Sequence, residues 1–464
     1  MIEMSLAEVA EAVGGRLTPD AAGTVPGKVT VDSRAVAPGD LFVAVPGERV
    51  DGHDFLTAAA AAGAVAALTT RPDGALPCVV VDEPVAALGR LAAAVHTRLA
   101  GGDLVTIGIT GSSGKTSTKD LLGQVLATAG ATVSPPGSYN NDIGLPLTVL
   151  DADEDTRFLV LEMGSRGRGH IARLCRVARP DVGVVLNVGS AHLGEFGSAD
   201  GIAVAKGELV EALPAEGTAV LNADDPRVIG MAPRTRARVV TTGRSAGADV
   251  RAEDVALDEA GRAGFTLVAG GERAAVRLQV VGEHQVANAL SAAGAALAAG
   301  MAPDAVAAAL SAAEPRSRWR MEVTRRDDGV TVVNDAYNAN PESMRAALAA
   351  LAGLPARRRV AVLGAMAELG PGAADEHERL GRDAVAAGVD LVVAVGPDAV
   401  GIADGALAAG AREGEGAVRV PDRAAARELL TEVLVPGDVV LVKASRSYGL
   451  EVLAADLLAA GAGA

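Results

Sequence analysis

Residues 107–120 read IGITGSSGKTSTKD: an apolar run, a glycine-rich turn, then a polar helical stretch. The usual phosphate-binding loop has a glycine five residues ahead of the one that precedes Lys-Ser/Thr. Here that position is Ile109, and Gly108 stands one place too early. The physical chemistry of the segment survives this departure. A strand that ends in a glycine-rich turn and runs into a helix points several backbone N–H groups at one spot, and the helix N-terminus adds partial positive charge. Lys115 extends the cradle with a mobile ammonium for terminal phosphates, and Thr116 offers a hydroxyl to Mg²⁺.

Outward from this loop the chain reads as strands alternating with helices. LVTIGIT precedes the loop, and a helix is expected from about Lys115 to Ala129. The runs FLVLEMG (158–164), DVGVVLNVGS (181–190) and GTAVLNADDP (217–226) follow, each leading into polar or helical sequence. Short continuous apolar runs of this kind imply a parallel sheet covered on both faces. Residues 250–281 alternate as an antiparallel ribbon does, and 284–300 read as an alanine-rich helix. PRSRWRMEV (315–323) reads as a linker into a second doubly wound unit, with strands VTVVND, RVAVLGA, LVVAVG and DVVLVK. Residues 1–100 hold a helix and short strands, including LFVAVPG (41–47). The expected fold is α/β in three domains. A small N-terminal α/β domain (1–100) leads to a central phosphate-loop-type doubly wound sheet with an antiparallel addition (101–313), then a C-terminal Rossmann-like domain (314–464).

Composition agrees with this division. A chain of 464 residues divided by roughly 150 per domain gives about three. Apolar residues make up 49% and charged residues 22%, as in folded soluble proteins, while aromatics at 2% leave the core to Ala, Val and Leu. The net charge of −16 argues against nucleic acid as a partner, because that needs a basic face. It does not exclude anionic ligands held by a few local donors. Cys78 and Cys175 fit no metal spacing and are expected as buried thiols of a reducing compartment. The N-terminus has no basic region followed by an apolar one, and HQVANALSAAGAALAAGMAP (284–303) is too polar for a membrane span. A cytoplasmic monomer without membrane insertion is therefore expected.

Three side chains beyond the loop stand out. Glu162 ends the strand FLVLE, where ligands of α/β sheets collect, and is a candidate metal ligand. His192, after the next strand, is a candidate metal ligand or phosphate donor, against the ordinary reading of a structural histidine. Lys206 is either a helical surface lysine beside Glu208 or, if carbamylated by CO₂, an anion able to bridge metals.

These pieces together resemble the Mur ligase family, the ATP-dependent amide-forming enzymes of peptidoglycan assembly, whose loop has the form TGxxGKT. Gly111, Ser112, Ser113, Gly114, Lys115, Thr116 and Ser117 match it. The likeness extends through VDSRAVAPGDLFVAVPGERVDGHDF (31–55), NNDIGLPLTVL (140–150), AHLGEFGS (191–198), AKGEL (205–209), GEHQVANAL (282–290), NDAYNANPESM (334–344), LGAMAELG (363–370) and VLVKASRS (440–447). Within the family, DAYNANP is similar to the branch that adds D-alanyl-D-alanine rather than a single amino acid.

The resemblance implies an acyl phosphate route from UDP-N-acetylmuramoyl-tripeptide and D-alanyl-D-alanine, with ATP and two Mg²⁺ ions. By matched position, Lys115, Glu162, His192 and carbamylated Lys206 are the catalytic set. Thr116 and Glu162 hold the first metal, and His192 and Lys206 the second. Asn288 is placed at the adenine, and Arg320 and Asp335 reach ATP from the last domain. Ser33, Arg34 and Asp51 fall at the uridine nucleotide, while Asn141, Tyr337, Asn338 and Asn340 fall at the substrates. Gln285 stands for a commoner Asn, and Ala365 for an Asp. Two other readings stay open: a single-residue ligase on the same scaffold, and an ATP-hydrolysing regulatory protein.

Overall fold

The computed structural model describes residues 1–19, 21–47, 50–135, 137–189 and 196–460. Among these, the chain forms three α/β domains built on mixed sheets of five, nine and six strands. The central sheet runs from Glu272–Val281 through Arg262–Ala269, Val250–Leu257, Arg238–Gly243, Thr218–Asn222, Val182–Val185, Val105–Thr110 and Phe158–Glu162 to Thr132–Val133. The strands from Thr132–Val133 across to Val250–Leu257 are parallel, and the last two are added antiparallel. Ile, Val and Leu fill the parallel strands because both faces are covered, one by the core around Leu159 and Leu221, the other by that around Ile107 and Leu290.

The topology sets the site. Val105–Thr110 lies between Phe158–Glu162 and Val182–Val185, so the order of connection reverses at this strand. A crevice opens at the carboxyl ends of strands at such a reversal. The glycine-rich turn emerges there and leads into the helix Lys115–Ala127, whose N-cap Gly114 has φ +80°. A residue with a Cβ is disfavoured at that angle, which explains a glycine immediately before the lysine.

The C-terminal sheet has the order Glu322–Arg325, Thr331–Asn334, Asp438–Lys443, Arg358–Gly364, Leu391–Val395, Ala417–Val420, parallel except for the first pair. Its two faces carry separate apolar cores. The N-terminal sheet places Arg16–Leu17, Cys78–Val80, Ala66–Thr69, Leu41–Val43 and Val29–Thr30 side by side, antiparallel only at its first pair. Its core is continuous with one face of the central sheet, where the helix Pro84–Leu99 packs on Gly144–Leu150. Both cysteines are free and buried. Among the described residues no helix is long and apolar enough to cross a membrane.

The linker at 315–323 does more than connect. Trp319 and Met321 take φ of +61° and +51°, and Glu322 already begins an edge strand. Ala417–Val420 and Arg238–Gly243 are further strands that the apolar-run reading passed over. Both contain an arginine and lie partly exposed, which breaks the continuous apolar signal.

Candidate active site

A cleft of about 640 Å³ lies between the central and C-terminal domains. The whole loop Gly111–Ser117 lines it, facing Arg320, Asp335 and the segment Tyr337–Asn340. The sheet register explains the first contacts. Glu162 pairs with Ile109 across neighbouring strands, which brings its carboxylate beside the start of the loop. Thr116 Oγ1 donates to Glu162 Oε2 at 2.8 Å. Ser138 Oγ and Asn140 Nδ2 donate to Oε1 at 2.6 and 2.7 Å. Glu162 is thus buried, oriented by three donors, and joined to the loop hydroxyl.

Lys115 folds back on its own loop, donating from Nζ to the Gly111 carbonyl at 2.8 Å. Burial lowers its pKa, Glu162 acts against that, and Arg320 adds to it. An incoming phosphate would favour the ammonium and draw it off the carbonyl. On the other side of the loop, Asn187 Oδ1 accepts from Ser113 N at 2.9 Å, and its Nδ2 donates to the Ser113 carbonyl at 3.2 Å. Asn288 lies beneath Gly114, and its Nδ2 donates to Gln285 Oε1 at 2.8 Å.

Lys206 is buried at the end of the helix Ala199–Lys206 and lines the same cleft, 6% exposed. This removes the surface-lysine reading. Its pKa falls well below the ordinary lysine value, chiefly through burial and then through repulsion from Lys115. Glu208 does not pair with it. That carboxylate accepts from Gly169 N and Ala172 N, at 2.5 and 3.0 Å, at the start of a neighbouring helix. His192 lies outside the described residues.

The C-terminal domain reaches the loop directly. Arg320 Nη2 donates to Thr116 Oγ1 at 2.8 Å, with its guanidinium 4.1 Å from the Tyr337 ring centroid. Asn340 Nδ2 donates to the Ser112 carbonyl at 3.3 Å. Asp335 is held by Lys443, whose Nζ is 2.5 Å from Oδ2 and 2.9 Å from the Asn338 carbonyl. Burial lowers the Lys443 pKa, with Asp335 opposing it.

Other expected residues stand apart. Ser33, Arg34 and Asp51 belong to the N-terminal domain and do not line this cleft among the described residues. Arg34 is exposed and paired with Asp32 at 2.7 Å. Asp51 accepts from the His53 backbone at 3.0 Å and from Arg71 at 2.6 Å. Asn141 borders the cleft, yet its side-chain oxygen accepts from Ile143 N and Gly144 N and starts a helix. Ala365, in place of an acid, presents its carbonyl to Ser445 N at 3.1 Å. Ser138, Asn140 and Lys443 were not singled out from sequence. Asn140 sits in the quoted stretch NNDIGLPLTVL, but only the folded loop shows which of its two asparagines meets Glu162.

The donor set fits a magnesium nucleotide. Mg²⁺ is usually held by one or two carboxylates together with substrate phosphates. Here one carboxylate and one hydroxyl, Glu162 and Thr116, stand at the mouth of an amide-lined loop. Among the described residues no three of His, Cys, Asp or Glu gather to hold a metal alone.

A phosphate loop confronted by a second α/β domain across a cleft lined by Lys115 and Arg320 defines a multidomain enzyme that works on a nucleoside triphosphate. Family comparisons then narrow the class. The Mur ligase family catalytic domain matches residues 27–98, the Mur ligase middle domain 109–296, and the Mur ligase glutamate ligase domain 319–446. The chain belongs to the Mur ligase family.

The UDP-N-acetylmuramoyl-tripeptide–D-alanyl-D-alanine ligase of Mycobacterium tuberculosis is 51% identical, covering 99% of this chain and 98% of the relative. Among solved structures, MurF from Acinetobacter baumannii superposes with a TM-score of 0.88 at 32% identity, over 98% of this chain and 99% of that one. MurF ligase from Thermotoga maritima in complex with ADP gives 0.79 at 32% identity, over 93% and 98%.

Proposed function

We infer that this chain joins D-alanyl-D-alanine to UDP-N-acetylmuramoyl-tripeptide in an ATP-driven reaction of peptidoglycan precursor synthesis. One observation carries the reading beyond family membership. DAYNANP, the segment that distinguishes the dipeptide-adding branch, faces the phosphate loop and touches it through Asn340 and Ser112.

The chemistry follows from the arrangement. The terminal carboxylate of the tripeptide attacks the γ-phosphorus of ATP, the bond to ADP breaks, and an acyl phosphate forms. The neutral amine of the dipeptide then attacks the carbonyl carbon. Its proton is lost, the C–O bond to phosphate breaks, and an amide remains. The loop N–H groups and Lys115 hold the charge that gathers on the phosphoryl oxygens, and positioning across the cleft supplies much of the rest. Thr116 and Glu162 would hold Mg²⁺, which when bound neutralises phosphate charge and fixes the direction of transfer. Ser138 and Asn140 keep Glu162 aimed while it does so.

Lys206 suits carbamylation. Carbamylation requires a neutral amine, and burial shifts Lys206 toward that form; the amine would add to CO₂, release a proton and become an anion facing Lys115. Ser33, Arg34 and Asp51 lie on the N-terminal domain, which we assign to the uridine nucleotide. Closure of the C-terminal domain on the loop would exclude water from the acyl phosphate.

The test is purified protein with ATP, Mg²⁺, the nucleotide tripeptide and a panel of amino acids and dipeptides, with products read by mass. The expected product gains D-alanyl-D-alanine, with one phosphate released per amide. A product carrying one amino acid, or phosphate release that ignores the dipeptide, would overturn the reading in favour of the other ligase or of a regulatory ATPase.

A further inference from the structure

Arg320 is held between two residues in the left-handed region, Trp319 at φ +61° and Met321 at φ +51°. Large side chains rarely adopt this conformation, and neither residue is Asn or Asp, which tolerate it best. A backbone of this kind persists only where its surroundings over-determine it. The surroundings are specific. The Trp319 carbonyl accepts from Tyr337 N at 3.2 Å, and the Trp319 ring lies 4.2 Å from the Arg446 guanidinium. Met321 N donates to Asp335 Oδ1 at 3.1 Å. The other Asp335 oxygen is taken by Lys443, 2% exposed, which also donates to the Asn338 carbonyl.

We propose that Lys443 is a positioning residue: through Asp335 it clamps the backbone at Met321 and so aims Arg320 at the hydroxyl of Thr116 in the phosphate loop. A role in the fold alone accounts poorly for an ion pair here. Buried charges are costly to desolvate, and an apolar pair of similar volume often supports a core as well or better. An apolar pair offers no directed acceptor for Met321 N. The ion pair does, because Lys443 fixes one carboxylate oxygen and leaves the other facing the turn. Arg320 takes its direction from this turn and from the Tyr337 ring, whose centroid is 4.1 Å from the guanidinium.

The inference rests on the reading of the cleft as an ATP site, and the experiment separates the two. ATP affinity by titration calorimetry, turnover, and melting temperature are measured on the full chain for wild type, R320A, K443M, K443M/D335L, and each of the last two combined with R320A. K443M/D335L replaces the ion pair by an apolar pair and carries the test if K443M alone does not fold. The expected result is that K443M/D335L melts near wild type yet loses ATP affinity or turnover to the same degree as R320A. A misplaced group of this kind costs up to about a hundredfold. Adding R320A should then change nothing further, since coupled residues are non-additive. Effects that multiply with R320A, or wild-type ATP handling in K443M/D335L, would overturn the inference. Wild-type protein that does not bind ATP would overturn the reading of the cleft itself.

Discussion

Gly114 shows how much a single position decides. At φ +80° a Cβ is sterically disfavoured by about 1–2 kcal/mol, and a Cβ built there collides with Asn288 Oδ1. Gly114→Ala should therefore weaken ATP binding at least about tenfold, the equivalent of ~1.4 kcal/mol, with the melting temperature lowered only slightly. Calorimetric titration checks this, and unchanged affinity would show that the loop tolerates displacement. Lys206 gives a second prediction at this scale. Protein equilibrated with ¹³C-labelled CO₂ should show a carbamate carbon by NMR that Lys206→Met lacks, and removing CO₂ should lower turnover. An unlabelled protein with CO₂-independent turnover would leave Lys206 a plain buried amine. Lys115 and Glu162 were legible because short-range chemistry marks them, a lysine after glycine and a carboxylate ending a strand, whereas Lys206 alone reads equally as a surface lysine. Ser138 and Asn140 were not, since their partner Glu162 lies 24 and 22 residues away and is reached only through the sheet.

At the scale of elements, local signals serve well where they are dense. The helix Pro341–Gly353 begins with a capping box, Asn340 accepting from Ser343 N and Ser343 Oγ from Asn340 N, with proline next in line. Thr132–Val133 has only two residues, too few for any periodicity to register. The helix Ala373–Ala386 carries a pH prediction. His377 is buried and its Nε2 accepts from Met366 N at 2.8 Å, which requires a neutral ring. Burial lowers its pKa below 6.5, opposed by the Ala373 backbone, Asp398 and Glu376.

The native state therefore binds fewer protons than the unfolded chain between that lowered value and 6.5. Stability is full above 6.5 and declines as pH falls through the window, by at most about 1.4 kcal/mol per pH unit. His377→Gln, which keeps an acceptor, should show a flatter decline in urea unfolding between pH 7 and 5. Parallel curves for the two proteins would place the imidazole charge elsewhere.

For the whole molecule, the interfaces carry what the sequence could not show. Three α/β units follow from the alternation of runs, but nothing in that alternation says that Arg320 meets Thr116 across 204 positions, or Asn340 meets Ser112 across 228. Gln124 and Glu314 add a two-way backbone clasp at the linker's start, each bond near 3 Å. Such contacts depend on how rigid domains dock, and the linker at 315–323 is a shaped part of the cleft, with Arg320 and Met321 in its lining. The acyl phosphate mechanism depends on that docking, because activation of an acid and capture of an amine must take place in one enclosure.

Its most direct test uses tripeptide labelled with ¹⁸O in both oxygens of the terminal carboxylate. If the cleft forms an acyl phosphate, one labelled oxygen leaves with inorganic phosphate for each amide made, and one stays in the amide carbonyl. Phosphate that carries no label, while amide is formed, would contradict the mechanism.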